Sequence, residues 1–200
     1  MRTIIGSIAF ATAMLGCSRP APVSRMEREA ALKAMFDADQ SERSGPIEQV
    51  DMDALKEKDR VRRDSLRALV ADGVLASAKS YYHAAMIMQH GEDSMDYRQA
   101  NEWARTSEEL DSTKVETRWL VAATWDRYQM SRGEPQWYGT QSDRVDSGRG
   151  ALVLYRIDPT RVTDRERIYR GVGTIDQLCA RLNAINKQLK LRSPGCLSRP

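Results

Sequence analysis

Few side chains in this 200-residue sequence titrate near neutral pH. His83 and His90 are its two histidines, seven residues apart in YYHAAMIMQHG. On a helix that spacing puts both on one face, with Ile87 between them and about 10.5 Å along the axis separating them. The gap is too wide for both to ligate one metal ion directly. His90-Gly91 also reads as a helix C-terminus, where an imidazolium suits the dipole. General acid–base chemistry and a capping or core role therefore both stand open for each histidine. Asp126 in AATWDR is the carboxylate that either histidine could pair with, and Arg43, Arg62 or Arg127 could clamp an anion. Those groups would make a hydrolase. No HExxH, GxSxG, SxxK or GxxxxGK[ST] occurs, and Gly171-Val-Gly173 falls short of a nucleotide loop. No metal site and no cofactor is expected.

A second set of residues is suited to binding. GEPQWYGTQ, residues 133–141, follows a helical pattern. Gly133 and Pro135 stop the helix, and Gly139 permits a backbone conformation closed to other residues. Gln136, Tyr138, Thr140 and Gln141 then offer uncharged donors and acceptors on a constrained loop. That chemistry suits a sugar, a peptide or a carboxylate better than bond breaking, since none of these groups ionises near neutrality. The bland alternative is a turn whose Trp137 and Tyr138 lock a hairpin onto the helices.

Charged residues also stand where helices should be apolar. Leu32, Met35 and Phe36 form a stripe that Asp39 and Arg43 continue. Met52, Leu55, Asp59, Arg62, Leu66 and Leu69 recur at steps of three and four. Val115, Trp119 and Ala122 lead to Asp126, with Arg127 beside it. A buried charge is costly unless paired and hydrogen-bonded. Either these groups meet in a shared polar cluster, or each is a local helix pair at a solvated margin.

The elements that must position these residues are mainly α-helical. Ser24-Arg-Met-Glu27 is a capping box, so a first helix starts there and stops at Gly45-Pro46. Further helices are expected over about 51–71, capped by Asp51, then 75–90, 95–110 and from Ser112-Thr113 to about 131. Ala-Ala pairs at 84–85 and 122–123 lie about one tetratricopeptide-type hairpin apart. Antiparallel helices are expected, as stacked hairpins or as an irregular bundle. QWYGTQ and ALVLYRI, separated by a turn-rich segment, suggest a small β-hairpin near 136–155. A short helix near 161–169 follows, and Thr174-Ile-Asp-Gln177 opens an amphipathic C-terminal helix with Leu178, Leu182, Ile185 and Leu189 on one face.

The chain opens with one basic residue, Arg2, and an apolar run from Ile4 to Leu15, too short to span a bilayer. Met14-Leu15-Gly16-Cys17 resembles the lipobox of bacterial lipoproteins, with Met in place of the usual leading Leu. The resemblance implies a signal peptide at 1–16 and a lipidated Cys17; the two prolines of SRPAPVS then read as part of a tether over 17–24, and the remaining length suits one helical domain over 25–200. Ser18 after the cysteine resembles an outer-membrane destination, facing the periplasm. In an oxidising compartment the remaining Cys179 and Cys196 are expected to pair, since two cysteines without a nearby histidine make a poor metal site. The formal net charge is only +3 and no basic block carries interleaved aromatics, which argues against nucleic acid as a partner.

Asp39-Gln40 with Arg43, the Asp59/Arg62 helix, AAMIMQHG, AATWDR, PQWYGTQ and Asp158-Pro159 together resemble a family of bacterial proteins carrying a domain of unknown function. The resemblance covers most of the mature chain, with QxYGTQ its most specific piece. It implies a shared architecture and no chemistry. The functional expectation is an anchored binding or scaffold module for a peptide, a cell-wall fragment or a protein partner, with an envelope hydrolase as the alternative.

Overall fold

The computed structural model describes residues 23–44, 51–145, 150–192 and 195–196. The expected signal peptide, Cys17, most of the expected tether and the expected Gly45-Pro46 helix stop lie outside the described residues. The described chain is mainly helical. Helix α1 spans Arg25–Glu42, α2 Met52–Ala71, α3 Ala78–Met88, α4 Ser94–Leu110 and α5 Val115–Ser131. A two-stranded sheet of β1 (Ser142–Arg144) and β2 (Leu152–Leu154) follows, then α6 (Asp164–Tyr169) and α7 (Ile175–Gln188).

The helix starts have local causes. Ser24 and Glu27 form a reciprocal capping box on α1, Thr174 and Gln177 do the same on α7, and Asp51 caps α2. The third helix begins later than expected, at Ala78, because Ser77 and Ser80 bond each other's backbone N–H. Short links then lay α3 against α4 and α4 against α5, while α1 and α2 pack on α3 and on each other. Small residues make these approaches possible: Ala84, Ala85, Ala100, Ala104, Ala122 and Ala123 are all fully buried. Leu32, Leu66, Ile87 and Met88 fill the space between α1, α2 and α3.

Two expectations about α5 and the hairpin need correction. Val115 and Trp119 are exposed (49% and 36%), so they are not part of a buried stripe. Residues 120–124 are buried in succession instead, because α5 is covered by α4 on one side and by the 136–182 region on another. QWYGTQ is not a strand. The hairpin pairs Ser142–Arg144 antiparallel with Leu152–Leu154, and Gln136 makes only an isolated bridge to Ile157. Met52, at 48% exposure, likewise stands outside the buried face of α2. Cys179 on α7 is disulfide-bonded to Cys196, and the Leu154 N–H donates to the Cys196 carbonyl, so the tail is stitched to the sheet.

Candidate functional site

Asp126 explains the odd loop. Its Oδ1 accepts from the backbone N–H groups of Trp137 (2.8 Å) and Tyr138 (3.0 Å). Its Oδ2 accepts from the N–H groups of Gly139 (3.0 Å) and Thr140 (2.9 Å) and from the Thr140 hydroxyl (2.8 Å). Four successive N–H groups can converge on one carboxylate only if the backbone curls around it. Gly139 supplies that curl at φ +89°, with Leu178 Cδ1 only 2.8 Å from where a Cβ would stand. Burial raises the Asp126 pKa, and the donors oppose it. Since every neighbour donates, the ionised form is the one they satisfy.

The loop's remaining polar groups bond to the loop itself. The Gln136 side chain donates to the carbonyls of Gln141 and Tyr155 (both 2.9 Å), and its Oε1 accepts from the Gln141 N–H (2.9 Å). The Gln141 amide donates to Thr140 Oγ1 (2.9 Å). Arg167, only 2% exposed, donates to the carbonyls of Trp137 (2.9 Å) and Tyr138 (3.2 Å). The sequence reading missed Arg167, whose partners are backbone carbonyls that no side-chain pattern announces. Gln136, Thr140 and Gln141 are thus committed to holding the loop, and Tyr138 donates its hydroxyl to Glu166 (3.2 Å).

The other expected residues do converge, at a different place. Asp39 is fully buried, and its Oδ1 meets Arg43 Nη1 at 2.8 Å and Arg62 Nη1 at 3.4 Å. Asp59 meets Arg43 Nη2 at 2.5 Å and Arg62 Nη1 at 2.8 Å. Arg62 also reaches Glu42 at 2.7 Å. Helices α1 and α2 are therefore pinned by two guanidiniums shared among three carboxylates. Burial pushes the Asp39 carboxyl up to about 6, against the pull of Arg43. Arg63, the buried neighbour of Arg62, ties α2 to the α3–α4 link: it donates to the His90 carbonyl (2.6 Å) and to Glu92 (2.7 Å). Gly91 is required in that link because a Cβ there would lie 2.2 Å from the Asp96 Cβ.

Asp126 does not join this cluster, and it is not the partner of either histidine. Its five bonds leave no free lone pair directed at an imidazole. His83 stacks on Phe36, with ring centroids 4.2 Å apart, and burial lowers its pKa to about 4. His90 Nε2 lies 3.6 Å from Asp39 Oδ2, beyond hydrogen-bond reach. Burial, then Arg43, Arg127, Arg62 and Arg63, hold His90 neutral with a pKa near 2. Among the described residues no group of three or more His, Cys, Asp or Glu side chains is arranged to hold a metal ion.

A concave surface borders the rigid loop. A cavity of about 600 Å³ lies between α4, α5, the loop and the end of α6. Trp125, Trp137 and Tyr138 supply its rings, and Arg105, Glu108, Glu109 and Arg170 its charges. Trp125 and Trp137 meet edge to face at 4.8 Å between centroids, and Arg170 bridges to Glu108 at 2.6 Å. Tyr138 is thus the one member of the expected polar set that reaches a cleft beside an arginine, while Gln141 does not line it. Comparisons of the chain with protein-family models, with curated proteins and with solved structures return no match.

Proposed function

We propose that this chain is a ligand-binding module held at the bacterial cell envelope by a lipid on Cys17, its cleft taking a cell-wall fragment: a sugar bearing a short peptide. The observation that carries the reading is the cleft itself, where three aromatic rings lie beside charges of both signs. Ring faces pack well against the C–H face of a sugar. The arginines suit a peptide carboxylate and the glutamates an ammonium. The floor is pre-organised, because Asp126 and Arg167 hold the loop from its N–H side and its carbonyl side. Binding then pays little to order it. The envelope location is supported by Met14-Leu15-Gly16-Cys17 and, for the outer membrane, by Ser18. No helix among the described residues is long and apolar enough to cross a membrane, and in this reading contact with the bilayer is left to the N-terminal lipid.

Calorimetric titration of the full-length protein with a disaccharide–tetrapeptide, and with each half alone, tests the cleft. We expect the joined molecule to bind, and Arg105→Ala with Glu109→Ala on the exposed rim to weaken it about tenfold, a loss of about 1.4 kcal/mol, without changing the melting temperature. Absence of binding by all three probes would sink the reading. Labelled fatty acid should be incorporated by the wild type and lost in Cys17→Ser. A hydrolase reading would have to run through His90 and Asp39, which are the closest histidine–carboxylate approach, with no help from Asp126.

A further inference from the structure

Two residues beyond Trp125, α5 presents a different face. Positions 125 and 127 are about 200° apart on a helix, so Arg127 points away from the aromatic cleft. With Met130 and Ser131 it lines another cavity, of about 550 Å³, whose other side is formed by Glu92 and Asp93 and by Ser94 and Tyr97 in the first turn of α4.

Arg127 differs from the chain's other inward arginines. Arg43, Arg62, Arg63, Arg167 and Arg170 each hold a carboxylate or a carbonyl. Arg127 forms no hydrogen bond or ion pair among the described residues, and its Nε is buried without an acceptor. A guanidinium keeps its proton in a protein, so the charge stays, half-buried at the cavity and with no acceptor among the described residues. His90 Nε2 and Arg63 Nε are also buried without a hydrogen-bond partner. Arg43 lies close enough to Arg127 for the two like charges to disfavour one another. Nothing within the described protein repays that arrangement, whereas an anion entering the cavity would.

We propose that Arg127 anchors a second ligand site, one that takes the carboxylate of a small organic molecule. The planar guanidinium offers two parallel N–H groups to a carboxylate. The cavity is far larger than a carboxylate, and Tyr97 and Met130 give the rest of the ligand an apolar wall. Glu92 and Asp93 stand at the rim, which disfavours a multiply charged anion such as phosphate and suits a molecule that also carries an ammonium group. The Tyr97 hydroxyl is already spent on the Gly91 carbonyl (2.7 Å), so its ring, not its oxygen, faces the task.

The test is a nitrogen–proton NMR titration of the full-length protein with acetate, alanine and inorganic phosphate, each to about 50 mM, a range that captures millimolar binding. With only two histidines the imidazole signals are assigned by His83→Gln and His90→Gln. Acetate and alanine should shift the Arg127 Nε–H signal. At pH 7, where these probes are ionised, they should also shift the His90 ring-nitrogen signals, since that ring sits among Asp39 and Arg43 of α1, Arg62 and Arg63 of α2 and Arg127 of α5. Arg127→Gln should abolish both responses while melting no lower than wild type, since it breaks no internal bond, and Arg127→Lys should retain a weakened one. The proposal is overturned if no probe moves either signal, if phosphate alone does, or if Arg127→Gln responds as wild type does.

Discussion

Among the described residues two carboxylates have no solvent exposure, Asp39 and Asp126, and they are satisfied by opposite means. Asp126 is surrounded by neutral donors, four of them backbone N–H groups of one loop. Asp39 is surrounded by guanidiniums carried on two helices and by Gln40. The first arrangement is complete and local, and it leaves nothing over for a ligand. The second spreads charge across α1 and α2, two guanidiniums among three carboxylates, and leaves Arg127 unpaired near its edge. A polar site is open for function where its donors exceed its acceptors, and residue type alone does not reveal that balance.

The largest effect should come from Asp126→Asn. An amide presents –NH₂ to one pair of N–H donors, so two buried donors lose their acceptor and face another donor. At about 1–3 kcal/mol for each unsatisfied group, the cost is about 4 kcal/mol, read as a shift in urea midpoint. A loss under about 1 kcal/mol would mean that the loop does not depend on the carboxylate.

Arg62→Met breaks the other region. It leaves Asp59 and Glu42 each short of one partner, but Arg43 still serves Asp39 and Asp59, so the cost falls to about 3 kcal/mol. Adding Asp59→Asn should recover about 1 kcal/mol relative to the sum of the single changes, because the two side chains share one network. Additivity would show that α1 and α2 are not held by a coupled cluster.

Gly139→Ala tests whether the loop's shape or its hydrogen bonds matter more. The φ of +89° is strained for alanine, and the new Cβ would stand 2.8 Å from Leu178 Cδ1. The expected loss is about 2 kcal/mol, below Asp126→Asn because the five bonds to the carboxylate can survive a small shift of α7. An equal loss would mean that the loop opens as a unit.

The two regions were not equally legible in the sequence. Asp39, Arg43, Asp59 and Arg62 declared themselves because a charge on a three-four apolar stripe is a misfit, and misfits on two adjacent helices must find each other. Asp126 was reached from a stripe of which only Ala122 is buried, and its partners gave no signal, since backbone N–H groups have no letter of their own. The polar letters of QWYGTQ pointed to a ligand, yet Gln136 and Gln141 bond the loop's own backbone. Helix starts at Ser24, Asp51 and Thr174 were readable from capping chemistry, as was the cysteine pair from counting. Trp119 was misplaced because three positions on α5 cannot show that a helix is covered on more than one side. Arg63 and Arg167 were passed over because the acceptors they reach include main-chain carbonyls.

The smallest expected effect separates the two regions by pH. His83 and His90 have pKa values lowered to about 4 and about 2, so the unfolded chain takes up protons below pH 6.5 that the folded chain refuses. Stability that is complete above pH 6.5 is then lost as pH falls toward 4. Asp39 acts the other way: its folded pKa of about 6 exceeds the ordinary 3.8, so the folded chain binds that proton first and gains stability as pH falls from 6 to 4. The Asp39 proton offsets one of the two histidine protons, so the wild type still loses stability with acid, at the slope of about one proton instead of two. Asp39→Asn removes the compensating proton, so its stability should drop more steeply with acid than the wild type's, whatever its stability at pH 7. His90→Gln should flatten the curve, and Asp126→Asn, which bonds neither histidine, should lower it with less change of slope than Asp39→Asn. Urea midpoints measured at half-unit steps from pH 7 to pH 4 give the slopes directly. An Asp39→Asn slope equal to the wild type's would mean that Asp39 is ionised throughout, and that its guanidinium partners outweigh its burial.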